Sequence, residues 1–209
     1  MNRGVSLVFA LSLVLAPPLL AAPRAPDAPP ATSAQPCTPS DDDSAIYSAV
    51  LQEIILKDKS DETRAVLYSK TSAGLPPGLA GSSSSDAEDR QTLLAAADVS
   101  TRNDFDAKTS LTCDLPANIG PAGRVTLVTP EEEAKLFAKS GAWKTFGQKY
   151  PNAAGLTLLS GIGFNKLHTQ ALVYLGNSCG LLCGSGQFAL LAKKHDKWVV
   201  QKTALLWTA

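Results

Sequence analysis

Apolar side chains first recur at helical spacing, about forty residues into the chain. Ile46, Val50 and Ile54 follow one another four positions apart, which predicts an amphipathic helix of three or four turns. Ser40 is a typical capping residue, and the acidic run 41–43 suits the positive N-terminal end of a helix. We therefore expect the first folded element to begin near Ser40, and we interpret the acidic run as helix capping, not a cation site.

The next segments are more varied. Residues 64–71 (RAVLYSKT) predict a strand. Residues 72–86 contain glycine, proline and four consecutive serines, and they predict a mobile loop. A helix is expected over 86–97. Residues 98–123 show no clear period and are expected to be irregular, with Phe105 and Leu111 anchoring them to the core.

A second helical region is predicted from a capping sequence at its N-terminal end. Residues 124–128 (RVTLV) predict a short strand, and Thr129-Pro130 with Glu132 forms a capping sequence. Gly141 is expected to end or bend that helix.

Aromatic residues follow at spacings of three and four: Trp143, Phe146 and Tyr150. Such a stripe is usually core, but it can also line a ligand-binding concavity, and these three rings are our candidate ligand-lining residues.

The C-terminal part alternates between strands and short connections. Strands are predicted at 156–160, 170–176, 187–193 and 198–207, with a hairpin turn at 194–197. Short connections require antiparallel neighbours, because a parallel crossover needs about a dozen residues. Since most helices precede these strands, the predicted class is α+β, with N-terminal helices packed on a C-terminal antiparallel sheet of four strands or more.

The N-terminus has the layout of a secretory signal. Arg3 precedes an apolar run over 5–20, and Ala21 and Ala22 are small residues suited to a signal peptidase. The run is shorter than the roughly 20 residues of a spanning helix and contains two prolines. We predict a signal peptide at 1–22 and no integral membrane segment after its cleavage. The protein is then exported, to the periplasm or the extracellular space.

Composition fits one folded domain behind a linker. Of 209 residues, 44% are apolar, which is enough for a sizeable core. Residues 23–40 are rich in Ala, Pro and Ser and predict a disordered linker, leaving 41–209 as a single domain. The formal net charge is zero, which argues against nucleic acid as a partner.

Four cysteines follow the signal: Cys37, Cys113, Cys179 and Cys183. In an oxidising compartment an even number favours disulfides. Of the three possible pairings we favour Cys179–Cys183 and Cys37–Cys113, because the first two are already close in sequence. A zinc site of four thiolates is the disfavoured alternative, since only one pair has close spacing. We predict no metal and no cofactor.

The most distinctive segment lies between two predicted strands, at 176–186 (GNSCGLLCGSG). Its four glycines permit a tight turn, so it predicts a hairpin loop closed by a disulfide. A redox dithiol usually has two intervening residues, and here there are three. A cysteine nucleophile would need a histidine base, and His168 and His195 are both expected to be exposed. We therefore assign no catalytic residues.

One block of residues is similar to a known group of sequences. It comprises Trp143, Phe146, Tyr150-Pro151, Ser160, Gly163-Phe164, Gln170–Tyr174, Cys179-Gly180, Leu182–Gly184, Trp198–Val200 and Trp207. Over 124–208 it resembles an uncharacterised family of exported bacterial proteins, which implies a bacterial host and carries no activity. The element order also resembles NTF2-like domains, cones of helices against a curved sheet.

Taken together, these patterns predict an exported α+β domain that acts as a non-enzymatic binding or interaction module with an unknown partner. The alternative is a thiol-dependent or other enzyme that uses the Cys179–Gly186 loop.

Overall fold

The computed structural model describes residues 37–73 and 84–209. The predicted signal peptide, most of the predicted linker and most of the predicted 72–86 loop lie outside these ranges. The helices are α1 (Asp41–Val50), a π-helical turn that continues it (Leu51–Ile55), α2 (Ser84–Ala96), α3 (Val99–Lys108), α4 (Pro130–Phe137) and α5 (Ala142–Lys149). The strands are β1 (Arg64–Tyr68), β2 (Val125–Val128), β3 (Ala153–Leu159), β4 (Gly163–Phe164), β5 (Gln170–Gly180), β6 (Cys183–Lys194) and β7 (Lys197–Thr208).

All seven strands belong to one mixed sheet with the order β2-β1-β3-β5-β6-β7, and β4 pairs with β5 beside this path. The expected antiparallel part is present in β3, β5, β6 and β7. The expectation of a purely antiparallel sheet is wrong, because β1 pairs in parallel with both β2 and β3. Long intervening segments that contain helices allow these parallel pairings.

Helices cover both faces of the sheet. Alternate side chains of β5 show this directly: Val173 packs in the cluster around α1, whereas Leu172 and Tyr174 pack with residues of α2 and α3. A third cluster joins α4 and α5 to Val66 of β1 and to β2 and β3. The α+β class is thus confirmed, and strand β5 is apolar on both faces because both faces are covered.

Two predicted helix starts are present in detail. Ser40 accepts a hydrogen bond from the amide of Asp43, and the Asp43 carboxylate accepts one from the amide of Ser40. Thr129 and Glu132 form the same reciprocal pair at the start of α4. Each pair satisfies backbone donors that the first helical turn leaves without partners.

The expectation of an irregular segment over 98–123 is wrong for its first half, which forms α3. Its buried face contains Thr101 and Phe105, so the apolar period is too weak to be seen in the sequence. Phe105 is a core residue as expected. Leu111 is not, because 39% of its surface is exposed.

Candidate functional site

The four cysteines form two disulfides, Cys37–Cys113 and Cys179–Cys183. These are the two pairs favoured from the sequence. Because every sulfur in the described chain is bonded to another sulfur, no cysteine thiolate is present to act as a nucleophile or a metal ligand.

The predicted loop at 176–186 is mostly strand. Strand β5 continues to Gly180 and β6 begins at Cys183, so that only Leu181 and Leu182 form the turn. The Cys179–Cys183 bond crosses the hairpin at this tip, with the two Cα atoms 5.0 Å apart. The expectation of a disulfide-closed turn holds, but the loop is much shorter than expected.

The glycines of this hairpin have a different role from the one expected. None of them has a positive φ, so they do not provide a left-handed turn. A Cβ on Gly186 would lie 2.1 Å from Nε1 of Trp207 and 2.4 Å from the hydroxyl of Tyr174. Nε1 of Trp207 donates a hydrogen bond of 2.9 Å to that hydroxyl. The glycine therefore makes room for this aromatic pair on the strand.

Both histidines are exposed, as expected. His168 lies in the connection from β4 to β5, and its ring stacks on Phe164 with the ring centroids 4.6 Å apart. His195 lies in the turn between β6 and β7. His195 and the following Asp196 both have positive φ, the geometry of a type I′ hairpin turn.

Trp143, Phe146 and Tyr150 pack together at one end of the sheet. Successive ring centroids are 5.4 and 5.2 Å apart, and Trp143 also makes an edge contact with Phe137. Phe146 is buried, and the other two rings are partly buried against it. These contacts account for the stripe as core packing, and none of the three rings lines the cavity described next.

A cavity with a volume of about 310 Å³ and a mostly apolar lining lies beside the Cys37–Cys113 bond. Five separate segments form it. They are Cys37–Pro39, one face of α1, Thr71 after β1, the chain from Lys108 to Pro116, and Gly161-Ile162 after β3.

The disulfide connects two of these walls, both irregular in structure. Cys113 is held in turn by Thr71: the Thr71 amide donates to the Cys113 carbonyl at 2.8 Å, and the Cys113 amide donates to the Thr71 hydroxyl at 2.9 Å. Gly161 lets the wall approach α3, since a Cβ there would lie 2.9 Å from the carbonyl oxygen of Lys108. The walls are therefore fixed by covalent and hydrogen bonds as well as by packing.

Three charged residues line this cavity, and each already has a partner. The Asp43 carboxylate accepts hydrogen bonds from Ser40, Lys108 forms an ion pair with Asp104 at 2.9 Å, and Asp114 forms one with Lys70. The remaining walls are largely apolar, including Leu111, Ile162 and the disulfide itself.

Tyr47 forms part of the cavity wall and is almost fully buried. Its hydroxyl donates a hydrogen bond of 2.8 Å to the carbonyl oxygen of Ser160. Burial, with a further effect of the nearby Asp43 carboxylate, raises the pKa of Tyr47 far above its usual value. The phenol therefore stays neutral at physiological pH and adds no charge to the cavity.

Sequence reasoning missed this cavity because its walls come from positions far apart in the chain. The expected Cys37–Cys113 pair was the one available signal, and it indicates proximity but not an opening. Leu111, which the sequence placed in the core, lines this cavity and is partly exposed.

No protein-family profile, no curated protein and no solved structure matches the chain. Within residues 37–73 and 84–209, no helix has the length and apolar character needed to cross a bilayer.

Proposed function

We propose that this protein is an exported, non-enzymatic binding module whose cavity beside Cys37–Cys113 holds a small, uncharged and largely apolar molecule. The observation that carries the proposal is the combination of an apolar opening with lining charged groups that each already have a hydrogen-bond or ion-pair partner. An ionic ligand would have to compete with these existing pairs, whereas an apolar ligand would gain contact without disturbing them.

The size of the cavity sets the size of the ligand. Small-molecule sites usually span about 300–1,000 Å³, so this one lies at the lower end of the range. A molecule of one to three rings, or a short branched chain, is the appropriate class.

Export is part of the same proposal. Two disulfides are consistent with an oxidising compartment, either the periplasm or the extracellular space. Membership of the uncharacterised family of exported bacterial proteins is part of this proposal. Catalysis by a cysteine in the hairpin is the less favoured alternative, because both of its sulfurs are in a disulfide.

The binding proposal is tested with N-phenyl-1-naphthylamine, a neutral three-ring dye that fluoresces in apolar surroundings. We expect saturable binding to the disulfide-bonded protein. Leu111→Trp would fill the cavity with an indole ring and should weaken dye binding at least tenfold. Leu167→Trp is the matched control, because Leu167 is 80% exposed and does not line the cavity.

Equal effects of the two substitutions would overturn the assignment of this cavity as the site. So would fluorescence that rises linearly with dye concentration. Circular dichroism of each variant establishes that a loss of binding does not come from unfolding.

A further inference from the structure

Two leucines stand exposed between the two cysteines of the β5–β6 hairpin. Leu181 is 90% exposed and Leu182 is 88% exposed, and Cys179 and Cys183 are exposed beside them. Large apolar side chains on a protein surface gain nothing for folding, and a contiguous exposed group of them commonly marks a contact site.

The backbone ladder of the hairpin continues past the disulfide to the turn, with a register shift between Ser178 and Gly180. The ladder pairs Asn177 with Ser185 and Ser178 with Gly184 before the bond, and Gly180 with Cys183 at the turn. The bond closes a ring of only a few residues, so it restrains the unfolded chain less than the Cys37–Cys113 bond does. Exposed disulfides belong to the class that opens readily.

The surroundings of the bond favour approach by a thiolate. Residues 176–187 include no acidic, basic or histidine side chain, although 18% of the whole chain is charged. The adjoining end of β7 contributes Trp207 and Thr208, which are also uncharged, and Ala209 after them exchanges backbone hydrogen bonds with Gly184. An incoming thiolate therefore meets no acidic side chain from the hairpin itself, and the leucines offer apolar contact to the chain that carries the thiolate.

We propose that the hairpin tip is a thiol–disulfide exchange site, which oxidises a pair of cysteines in an extended, apolar segment of a partner protein. Leu181 and Leu182 bind the apolar segment. One partner thiolate attacks a sulfur of the Cys179–Cys183 bond, that bond breaks, and the departing sulfur takes up a proton.

The second partner thiol then displaces the mixed disulfide. The partner leaves with its own disulfide, and two electrons and two protons have passed to Cys179 and Cys183. One protein molecule thereby oxidises one dithiol.

The first test compares the two disulfides within the same molecule. The intact protein is equilibrated in glutathione buffers of graded ratio, alkylated, and mapped by mass spectrometry. We expect Cys179–Cys183 to be half reduced at a ratio of reduced to oxidised glutathione at least tenfold lower than Cys37–Cys113 requires. Reduction of both bonds together, or of the tip bond last, would overturn the proposal.

The second test measures exchange with a synthetic peptide in which leucines flank a Cys-Gly-Ser-Cys segment. The double variant Leu181→Ser/Leu182→Ser should slow oxidation of the peptide at least fivefold while leaving its reaction with dithiothreitol unchanged. Leu167→Ser is the control for loss of an exposed leucine and should leave both rates unchanged.

Equal rates for the double variant and the unchanged protein would remove the docking role of the leucines and overturn the proposal. Oxidation of the peptide that persists in the Cys179→Ser/Cys183→Ser variant, together with mapping that shows an opened Cys37–Cys113 bond, would also overturn the proposal. Neither result bears on dye binding in the cavity, so this inference stands or falls separately from the proposed function.

Discussion

At the residue scale, Gly186 is the most informative position, because it has no side chain where two aromatic rings approach the backbone. The closeness of Trp207 and Tyr174 to its Cα means that the hairpin packs two large rings against bare backbone. Gly180 lies on the same hairpin, but a Cβ there would find its nearest atom at 3.5 Å, an ordinary contact. The glycines of one short sequence therefore have unequal importance.

We expect Gly186→Ala to lower the free energy of unfolding by about 1–3 kcal/mol, the usual cost of forcing extra atoms into a packed region. Gly180→Ala should change it by much less. Urea denaturation followed by tryptophan fluorescence measures both. Similar midpoints for the two variants would contradict the assigned role of Gly186.

The sequence indicated where these glycines cluster but not why. Glycines near a turn suggest positive φ, and this inference was wrong because close approach by a ring from another strand is equally able to require glycine. Trp207 is about twenty residues downstream of the glycine it covers. Only the register of β6 with β7, which places Gly186 opposite Trp207, brings the two together.

At the element scale, α1 is attached to the sheet through Asp42. Its carboxylate accepts hydrogen bonds from Nε1 of Trp198 at 2.8 Å and from Nζ of Lys193 at 3.0 Å. Partial burial on its own would raise the pKa of Asp42, but these two hydrogen bonds and the positive charge of Lys193 outweigh it and lower the pKa. Asp42 was expected only as a favourable charge at the helix start, and it also connects α1 to β6 and β7.

A lowered carboxyl pKa predicts a definite pH dependence. The stability from ionised Asp42 is fully present above the unfolded-state pKa of about 3.9 and is lost as the pH falls through the lower folded-state pKa. Asp42→Asn should therefore lower the free energy of unfolding by about 1–3 kcal/mol at pH 6. The difference from the unchanged protein should shrink towards pH 2.

Urea midpoints at the two pH values measure this effect. Asp41→Asn removes an equal charge from the same helical turn at an exposed position, and it should have a smaller effect at pH 6. If Asp42→Asn lowered the free energy of unfolding equally at both pH values, the charge of the Asp42 carboxylate would not be the source of the stabilisation.

Helices with a capping sequence were predictable, and α3 was not. The start of α4 is determined by a capping sequence of adjacent residues, whereas α3 is held by hydrogen bonds to a residue far away in the sequence. The Gln170 side-chain oxygen accepts hydrogen bonds from the Asp98 amide at 2.6 Å and from the Thr101 hydroxyl at 2.9 Å. A buried threonine satisfied in this way leaves no apolar signal in the sequence.

At the scale of the whole molecule, the two disulfides differ in what they restrain. Cys37–Cys113 spans 76 positions and ties the chain before α1 to the segment after α3, whereas Cys179–Cys183 spans four positions within one hairpin. On a chain-entropy basis the long ring contributes about 4–5 kcal/mol and the short ring about 2 kcal/mol.

Accordingly, Cys37→Ser/Cys113→Ser should destabilise the protein considerably more than Cys179→Ser/Cys183→Ser. Only the first pair should also weaken binding of the naphthylamine dye, because Cys37 and Cys113 line the cavity. Urea midpoints and dye titrations of the two double variants check this. A larger loss from the hairpin variant would contradict the assignment.

The C-terminal strands could be predicted because their partners are neighbours in sequence. The parallel half of the sheet could not be predicted in this way. No pattern in the neighbouring residues indicates that Val66 of β1 pairs with Thr126 on one side and with Leu156 on the other. The cavity was hidden for the same reason, because its walls meet only after that half has assembled.

The parallel pairing of β1 also has a consequence for how the chain is made. Its two partners, β2 and β3, begin at Val125 and Ala153, so a chain growing from its N-terminus carries the apolar strand β1 without either partner until β2 has been synthesised. An unpaired strand is a template for association with other chains. Newly made molecules therefore pass through an interval in which they need shielding, and slow translation between β1 and β2 should raise the yield of aggregates.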